Sequence, residues 1–450
     1  MVRTGLTLLT GNATTALLLL LRNLAVAALI PVADYGVAAT FAMVMSLIEM
    51  ASTLGLQQQI VQSPKGAEPR FQAAVQGFHA LRGVAAAAVL LLLAGPLAAF
   101  LGVPEVAWAY QVLAFVPLSQ AFLHFDLHRL QREMRFGPMI LAGVVPALLS
   151  LVLVWPLAAW LGDYRVMLIA VLVQAGVRLV MSHVVAQRRY ALVIDLGIMG
   201  ETLKFGWPLL VNAVLLYIVF QGDKIIVGRV LGMEALALLA MGFTLTLMPT
   251  LVLAKSTQNF FLPQLSRGKD LAQVTLQVCL LHGLMLVVGI ALLGAPLVRS
   301  VLGADYTGLE PLLLPLAVLH ALRVAKAGPG IVALAAGHSS NAMWGNAPRV
   351  CSLAVVWLAV MQGQGLLGVI WIACAGEALG VALALILMHR RVGVAPAWWP
   401  YVAWGACLIW VLVPSGGLFW GGVMILALIS LALMIDLRRY LRRGREGQHA

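Results

Sequence analysis

The chain has 450 residues, of which 62% are hydrophobic and only 10% are charged. Its mean hydropathy is +0.98, and its formal net charge is +12 at pH 7. This composition excludes an ordinary water-soluble globular protein, so we expect the chain to lie in a membrane.

Apolar stretches follow one another along the chain and predict about fourteen transmembrane helices, each close to the ~20 residues that cross a hydrocarbon core of ~30 Å. The first six are predicted at Leu6–Ile30, Gly36–Gln59, Phe78–Leu101, Trp108–Leu127, Met139–Leu161 and Val166–Val185. The next six are predicted at Trp207–Val230, Ala235–Leu262, Val274–Leu302, Pro311–Ala333, Trp344–Val360 and Leu366–Met388. Two more follow, at Trp398–Val413 and Phe419–Ile435.

The first six spans resemble the next six when the sequence is shifted by about two hundred residues. The matching positions are Pro146, Ser150, Val154 and Trp155 with Pro348, Ser352, Val356 and Trp357, together with Pro96-Leu97 and Pro296-Leu297. Because each repeat holds an even number of spans, both repeats cross the membrane in the same direction. A parallel repeat predicts a pseudo-two-fold axis along the membrane normal, with a substrate cavity near the midplane, as in transporters.

The repeat also predicts the domain organisation. We expect an all-α polytopic membrane protein with a first six-helix lobe at residues 1–200 and a second at residues 201–390. Two extra helices and a basic tail occupy residues 391–450.

Basic residues outside the spans predict the orientation. If the N-terminus is cytoplasmic, eighteen Lys and Arg lie on the cytoplasmic side, and only Arg165, Arg229 and Arg299 lie outside. Because the loops are short, the positive-inside rule places both termini in the cytoplasm. Most of the net positive charge therefore reflects topology and contact with anionic lipid headgroups, and it does not indicate nucleic-acid binding.

Charged residues also occur within the spans, and cations outnumber acids there. The cations are Arg22, Arg82, Arg178, Lys224, Lys255, Arg323, Lys326 and Arg349, and the acids at comparable depth are Glu49, Asp126, Asp223 and Glu377. A charge at membrane depth costs at least about 2.5–3.5 kcal/mol, so it is expected to face protein or a watery cavity. Surplus cations suit an anionic substrate, whereas a cavity for cationic drugs should carry surplus carboxylates.

Helical spacing indicates which of these side chains share a face. His320, Arg323 and Lys326 recur every three residues and predict one stripe on the tenth span. A phosphate group is well matched by Arg, whose planar fork binds it bidentately. We therefore predict a cavity for an anionic, phosphate-bearing substrate, with candidate residues Arg22, Lys255, Arg323, Lys326, Arg349, Arg82 and Gln258.

Positions at the membrane surface are an alternative for several of these residues. Arg82 and Arg178 also fit helix ends whose long side chains reach the interface. Arg349 also fits a headgroup contact, and Arg323 with Lys326 also fits the cytoplasmic end of the tenth span. These alternatives remain open from the sequence.

Two acids are candidates for ion coupling. Burial of Glu49 would favour proton binding, although a salt bridge to Arg22 explains this residue nearly as well. Asp223 occupies the position that matches Asn23 in the first repeat, which distinguishes the two repeats. Asp223 next to Lys224 also fits an outward interfacial pair. The coupling ion would be H⁺ or Na⁺.

No cofactor is expected. The nine His show no grouping typical of metal ligands, and the four Cys lack paired spacing. The chain has no Gly-rich phosphate loop, which argues against direct coupling to ATP.

Local sequence resembles a known group of membrane proteins. The residues that carry the resemblance are Arg22-Asn23, Ile30-Pro31, Asp34-Tyr35-Gly36, Glu49 and Leu54-Gly55-Leu56-Gln57, with Asp223-Lys224-Ile225-Ile226-Val227-Gly228 and Phe261-Leu262-Pro263-Gln264-Leu265 in the second repeat. On these residues, and on its plan of six, six and two spans, the chain is similar to bacterial polysaccharide transporters. These are Wzx-type oligosaccharide flippases of the multidrug, oligosaccharidyl-lipid and polysaccharide (MOP) exporter superfamily.

The resemblance implies a MATE-like fold in the bacterial inner membrane and a transport activity rather than an enzymatic one. The implied substrate is a polyprenyl-pyrophosphate-linked oligosaccharide, moved from the cytoplasmic to the periplasmic leaflet for O-antigen, capsule or exopolysaccharide assembly. The implied partners are this glycolipid, membrane lipids and other polysaccharide-assembly proteins, and a monomer suffices. Two alternatives remain: a multidrug or cation antiporter of the same superfamily, and a membrane glycan polymerase or ligase.

Overall fold

The computed structural model describes residues 2–51, 56–266, 268–338, 340–411, 420–424, 427–428, 430–432, 434–435 and 437–438. Within these ranges the chain forms α-helices joined by short 3-10 and π turns, and it forms no β-strand. The prediction of an all-α protein is confirmed.

The first compact unit comprises Met1–Ala237. Its helices are α1 (Val2–Leu29), α2 (Val32–Ala51), α3 (Leu56–Gln62), α4 (Pro69–Phe100), α5 (Ala107–Leu113), α6 (Phe115–Ala121), α7 (Asp126–Arg132), α8 (Gly137–Val152), α9 (Val154–Leu161), α10 (Arg165–Val184) and α11 (Leu196–Val230).

The second compact unit comprises Leu238–Ala450. Its helices are α12 (Met233–Leu265), which begins just before the division between the units, α13 (Ala272–Leu297), α14 (Glu310–Ala335), α15 (Ser340–Met361), α16 (Leu366–Val392) and α17 (Trp398–Val411). The last predicted span, Phe419–Ile435, is described only in part, and the basic tail from residue 439 lies outside the described residues.

In the described part of the chain, ten helical stretches are long and apolar enough to cross a membrane. An eleventh is formed if Pro104–Ala121 and Asp126–Arg132, which meet at a bend of 50°, count as one span. The sequence predicts one continuous helix here, at Trp108–Leu127. The structure interrupts this helix twice. The break between α5 and α6 has a local cause, because Pro117 cannot donate a backbone hydrogen bond to the preceding turn and α5 ends at Leu113. The 50° bend lies further along the chain, between Ala121 and Asp126.

The order of the helices repeats along the chain. α2, α4, α8 and α10 begin at residues 32, 69, 137 and 165, and α12, α13, α15 and α16 begin at residues 233, 272, 340 and 366. Each start therefore recurs about two hundred residues later, as the sequence repeat predicts. The division between the compact units falls after residue 237 rather than after residue 200. The compact units reflect which residues pack together, whereas the predicted lobes reflect the internal sequence repeat. The lobe boundaries at residues 200 and 390 therefore remain a prediction.

In the first unit, α10 packs against α6 and α8, and α8 packs against α1. A buried cluster beside this group joins α2 and α5. The Thr40 hydroxyl lies 2.5 Å from the Tyr110 hydroxyl, and the ring of Phe41 meets the Tyr110 ring edge-on at 5.5 Å. These contacts satisfy both buried hydroxyl groups, and they hold the part of α2 whose Phe41 lines the polar cavity described below.

The connection between α10 and α11 is held to the first unit. The buried carboxylate of Asp126 accepts hydrogen bonds from the backbone amides of Gln187 and Arg188, at 2.8 and 3.2 Å. It also forms an ion pair with Arg129. Further along, the backbone amide of Val193 donates to a carbonyl oxygen of α4 at 3.1 Å. The connecting segment is therefore ordered by hydrogen bonds over most of its length.

In the second unit, α14 packs against α13 and α16, and α15 packs against α16. The α15–α16 contact is close because glycines face each other. A Cβ atom added at Gly380 would lie 2.5 Å from the carbonyl oxygen of Gly345, and one added at Gly376 would lie 2.5 Å from the Ser352 hydroxyl. Small residues allow this approach in a membrane, where close packing contributes much of the helix association.

Candidate functional site

A polar cavity of about 230 Å³ lies within the first unit, between α1, α2, α6 and α10. Its polar lining residues are Arg22, Ser46, Glu49, Gln120, Gln174 and Arg178. The rest of the wall is apolar and includes Phe41, Met45, Val116, Leu123 and Val171. A mainly apolar wall with a few convergent polar groups is the usual form of a small-molecule site.

Arg22 is the most deeply placed charge in this lining, with an exposed fraction of 8%. Its Nη1 donates to the carboxamide oxygen of Gln174 on α10, and its Nη2 donates to the side-chain oxygen of Asn23 at 3.3 Å. Its buried Nε has no hydrogen-bond partner among the described residues. A guanidinium held by neutral amides keeps its positive charge uncompensated by these partners, and such a charge suits an oxyanion.

Glu49 and Arg178 complete the charged part of the lining. The Glu49 carboxylate accepts a hydrogen bond from Gln120 Nε2 at 3.1 Å, and Glu49 itself is exposed. Arg178 is also exposed, and it lies one helical turn beyond Gln174 on the same helix. The charged residues lining the cavity are thus two arginines and one glutamate.

Arg82 lies beside this cavity and reaches its lining through a histidine. His79 Nε2 lies 2.9 Å from the backbone oxygen of Gln120, so this nitrogen carries the proton and donates it. Nδ1 is therefore the acceptor, and it takes a hydrogen bond from Arg82 Nη2 at 3.0 Å. Arg82 thus holds the ring that supports α6 at Gln120.

The second unit contains a buried cluster of three cations on one carboxylate. Glu377 on α16 has an exposed fraction of 0%, and its Oε1 lies 2.8 Å from Arg323 Nε on α14. Its Oε2 lies 2.5 Å from Lys326 Nζ. Arg349 on α15 is equally buried, and its Nε lies 3.9 Å from Oε1. The cluster links three helices.

The stripe of His320, Arg323 and Lys326 predicted on the tenth span faces this cluster. Arg323 Nη1 donates to His320 Nε2 at 3.2 Å, so the histidine proton sits on Nδ1. Nδ1 lies 2.9 Å from the backbone oxygen of Leu316 and 2.8 Å from the Thr246 hydroxyl. The Arg323 guanidinium also lies over the ring of Phe243, with 5.7 Å between its carbon and the ring centroid.

Sequence reasoning did not identify Glu377 as the common partner of Arg323, Lys326 and Arg349. A signal was present, because Glu377 is the only acidic residue between positions 311 and 435. A single carboxylate among many apolar residues in neighbouring spans is the natural counter-ion for cations at the same depth. Gln174, which holds Arg22, was also missed, since a neutral amide carries no comparable signal.

The remaining candidate residues lie on two further helices. Lys255 on α12 is exposed and Gln258 is half-buried, while Thr257 between them bonds to His282 at 3.1 Å. Asp223 on α11 is buried in the first unit, with an exposed fraction of 2%. Nowhere in the described ranges do three His, Cys, Asp or Glu side chains gather in a way that could hold a metal ion.

These features define a class: a polytopic helical membrane protein with the fold of MOP-superfamily exporters. An inward-facing multidrug resistance MATE transporter has a TM-score of 0.72 at 17% identity, covering 84% of this chain and 94% of its own. The lipid II flippase MurJ has a TM-score of 0.72 at 13% identity, covering 98% of this chain and 99% of its own. A MOP-superfamily transporter from Pyrococcus furiosus, whose binding pocket is described as having reverse polarity, has a TM-score of 0.56 at 16% identity, covering 87% and 95%.

The family is defined by sequence. Residues 25–311 match the family model described as a polysaccharide biosynthesis protein. The match covers more than half of the chain, and the chain belongs to this family. No curated protein sequence matches the chain significantly.

Proposed function

We propose that the protein moves a polyprenyl-pyrophosphate-linked oligosaccharide from the cytoplasmic to the periplasmic leaflet of the bacterial inner membrane. Membership of the polysaccharide biosynthesis family supports a glycan-containing substrate. The fold shared with a lipid II flippase and with multidrug transporters supports movement across the membrane rather than bond chemistry. The excess of Lys and Arg in the predicted cytoplasmic loops supports cytoplasmic termini.

The observation that carries this proposal is the placement of Arg22. Its guanidinium is buried in the polar cavity of the first unit and bonds to the neutral amides of Gln174 and Asn23. Its Nε is left without a hydrogen-bond partner among the described residues. A buried guanidinium whose printed hydrogen-bond partners are neutral amides is poorly suited to a cationic drug and well suited to a phosphate group.

The other polar lining groups suit the sugar. Glu49, Gln120 and Ser46 offer acceptors and donors of the kind that hydroxyl groups use, on a wall that is otherwise apolar. The phosphate would be bound at Arg22, the adjoining sugar would contact these groups, and the prenyl tail would stay in lipid. Alternating access would then expose the cavity to each side of the membrane in turn.

An H⁺ or Na⁺ gradient would return the cavity to its cytoplasm-facing state after the substrate is released. Glu49 lines the same cavity as Arg22, and Asp223 is buried on α11. A carboxylate that binds H⁺ or Na⁺ changes the charge near the substrate and so favours release over binding. Both residues are therefore proposed as coupling sites.

Leaflet exchange in proteoliposomes tests the substrate class. The purified protein is reconstituted with a fluorescent polyprenyl-pyrophosphoryl oligosaccharide, and exchange is followed by quenching of the outer leaflet. We expect protein-dependent exchange of the glycolipid and no protein-dependent uptake of a cationic dye. Dye uptake without glycolipid exchange would instead support the antiporter, and absence of both would reject the proposal.

A further inference from the structure

The charges of the cluster around Glu377 do not balance. Arg323, Lys326 and Arg349 bring three positive charges to the single negative charge of Glu377, which leaves a surplus of two. The helices of the cluster hold one other acid, because Glu310 and Glu377 are the only Asp or Glu residues of α14, α15 and α16. Glu310 is the first residue of α14, where it pairs with an exposed arginine. Surplus charge at membrane depth is costly, so a process that removes part of it is favoured.

Lys326 is the one cation of the three that can lose its proton. A guanidinium keeps its proton in proteins, whereas a buried lysine gives its proton up readily. Loss of a proton from Lys326 lowers the surplus from two charges to one and leaves the pair between Arg323 and Glu377, at 2.8 Å, charged. A neutral amine still has N–H groups, so Lys326 Nζ can donate to Glu377 Oε2 in both protonation states.

The surroundings of Lys326 suit exchange of a proton better than binding of a larger ion. Glu377 and Arg349 have no exposed side-chain surface, whereas the Lys326 side chain keeps 13% of its surface exposed. Two glycines border this side chain. A Cβ added at Gly380 would lie 3.3 Å from Lys326 Cδ and 3.6 Å from Nζ, and one added at Gly345 would lie 3.8 Å from Cδ. A proton needs no cavity here, and Lys326 is the least buried member of the cluster.

The charged groups around Lys326 act on its proton in opposite ways. Glu377 on α16 attracts the ammonium, while Arg323 on α14 and Arg349 on α15 repel it. His320 contacts Arg323 rather than Lys326, and α13 carries no Asp, Glu, Lys or Arg. Because the attracting and repelling groups stand on three helices, a shift of α15 or α16 relative to α14 changes the balance between them. The proton occupancy of Lys326 and the packing of the second unit are therefore linked.

We infer that Lys326 is a proton-binding site through which the second unit responds to a proton gradient. In the loaded state its ammonium binds Glu377. In the unloaded state the proton has passed to water and the neutral amine remains. An amine binds H⁺ in preference to Na⁺, so this site selects the proton as coupling ion, in addition to any role of Glu49 and Asp223. The use of the site in transport rests on the proposed function, whereas proton binding itself does not.

Lysine NMR of the purified protein in detergent tests the proton site without transport. The chain has six lysines, so a protein labelled with ¹³C at lysine Cε gives few signals. The Lys326 signal is the one that is lost in both Lys326→Arg and Lys326→Gln. The chemical shift of Cε reports whether Nζ is charged. We expect a titration midpoint at least about one pH unit below the ~10.4 at which a lysine in water loses its proton. A higher midpoint would overturn the inference.

Transport by Lys326→Arg separates coupling from a structural role. Arginine keeps the positive charge beside Glu377 but does not release its proton, and Lys326→Gln never carries one. We expect both variants to exchange the glycolipid without a gradient and to show no acceleration when a pH gradient is imposed. The matched control is Lys269→Arg, because Lys269 lies in the same unit and its Nζ donates to the backbone oxygen of Val392 at 2.6 Å. This control should respond like the wild type.

The outcomes distinguish this inference from the proposed function. A purely structural role would restore the gradient response in Lys326→Arg, and that result would overturn the coupling role. Acceleration of wild-type exchange by a Na⁺ gradient alone, with no effect of a pH gradient, would also overturn it. A low titration midpoint at Lys326 without glycolipid exchange by the wild type removes the proposed function alone. Glycolipid exchange by a protein whose Lys326 signal keeps the ammonium position removes the proton site alone.

Discussion

Arg323 on α14 and Glu377 on α16 form a buried ion pair, with 2.8 Å between Nε and Oε1. Lys326 binds the second oxygen of the same carboxylate, and Arg349 approaches the first. Glu377 therefore holds cations from two other helices in the second unit. The three cations were predicted as substrate ligands. Their placement around Glu377 gives them a role in holding these helices together, whichever further role they have.

Replacing Glu377 with Gln should destabilise the second unit strongly. The substitution leaves three cations around a neutral amide, and breaking a buried ion pair by removing one partner costs about 3–5 kcal/mol. Thermal unfolding in detergent measures the effect. Glu310→Gln is the matched control, because Glu310 pairs with the exposed Arg299 and should lose little. Equal unfolding midpoints for Glu377→Gln and the wild type would contradict a structural role for the cluster.

Replacing Gly380 with Ala should disturb the same cluster by steric means. The new Cβ would lie 2.5 Å from the carbonyl oxygen of Gly345 and 3.3 Å from Cδ of Lys326. Because the backbone of α15 cannot move aside easily, α15 and α16 must separate. We expect this to lower the free energy of unfolding by about 1–3 kcal/mol, as at other overpacked sites. Unfolding midpoints check this result. Gly330→Ala on α14 is the control, since its Cβ would meet nothing within 4 Å. A similar change in both variants would show that the α15–α16 contact is not the cause.

Neutral variants of the two proposed coupling residues should lose their response to an ion gradient. In proteoliposomes, Glu49→Gln and Asp223→Asn are expected to exchange the glycolipid at zero gradient and to show no acceleration when H⁺ or Na⁺ is imposed. Glu49→Gln should also bind pyrophosphate more tightly, because it removes the one carboxylate that lines the cavity. Glu234→Gln, at an exposed position near the start of α12, is the control. Wild-type gradient responses in both variants would exclude these residues from coupling.

The helices could be predicted from the sequence because their signal is local. α16 begins at Leu366, as predicted, and α10 begins one residue before the predicted Val166. Apolar length alone sets these bounds. The break between α5 and α6 was not predicted, since a proline within an apolar run is also compatible with a continuous kinked helix in a membrane.

The candidate site could be predicted only in part. The three-residue spacing of His320, Arg323 and Lys326 predicted that these side chains share one face of a helix. In the structure Arg323 contacts His320, and both Arg323 and Lys326 contact Glu377. Their partner Glu377 lies fifty-one residues beyond Lys326 on another helix, and no pattern within one span connects the two. The same limit applies to Arg22 and Gln174, which are 152 residues apart. Lys255 lies on α12 and Asp223 lies on α11. Their roles in substrate binding and ion coupling remain predictions.

Glycolipid exchange by variants of Arg22 tests the central claim most directly. Wild type, Arg22→Lys, Arg22→Ala and the outside control Arg299→Ala are compared in the same proteoliposome assay, with Lys255→Ala alongside. We predict that Arg22→Ala abolishes most exchange, that Arg22→Lys retains part of it, and that Arg299→Ala exchanges like the wild type. Lys255→Ala should also lower exchange, because Lys255 is predicted to contact the anionic substrate, and wild-type exchange by this variant would remove Lys255 from the site. Wild-type exchange by a folded Arg22→Ala protein would contradict the account, because no buried guanidinium would then be needed to carry the diphosphate across the membrane.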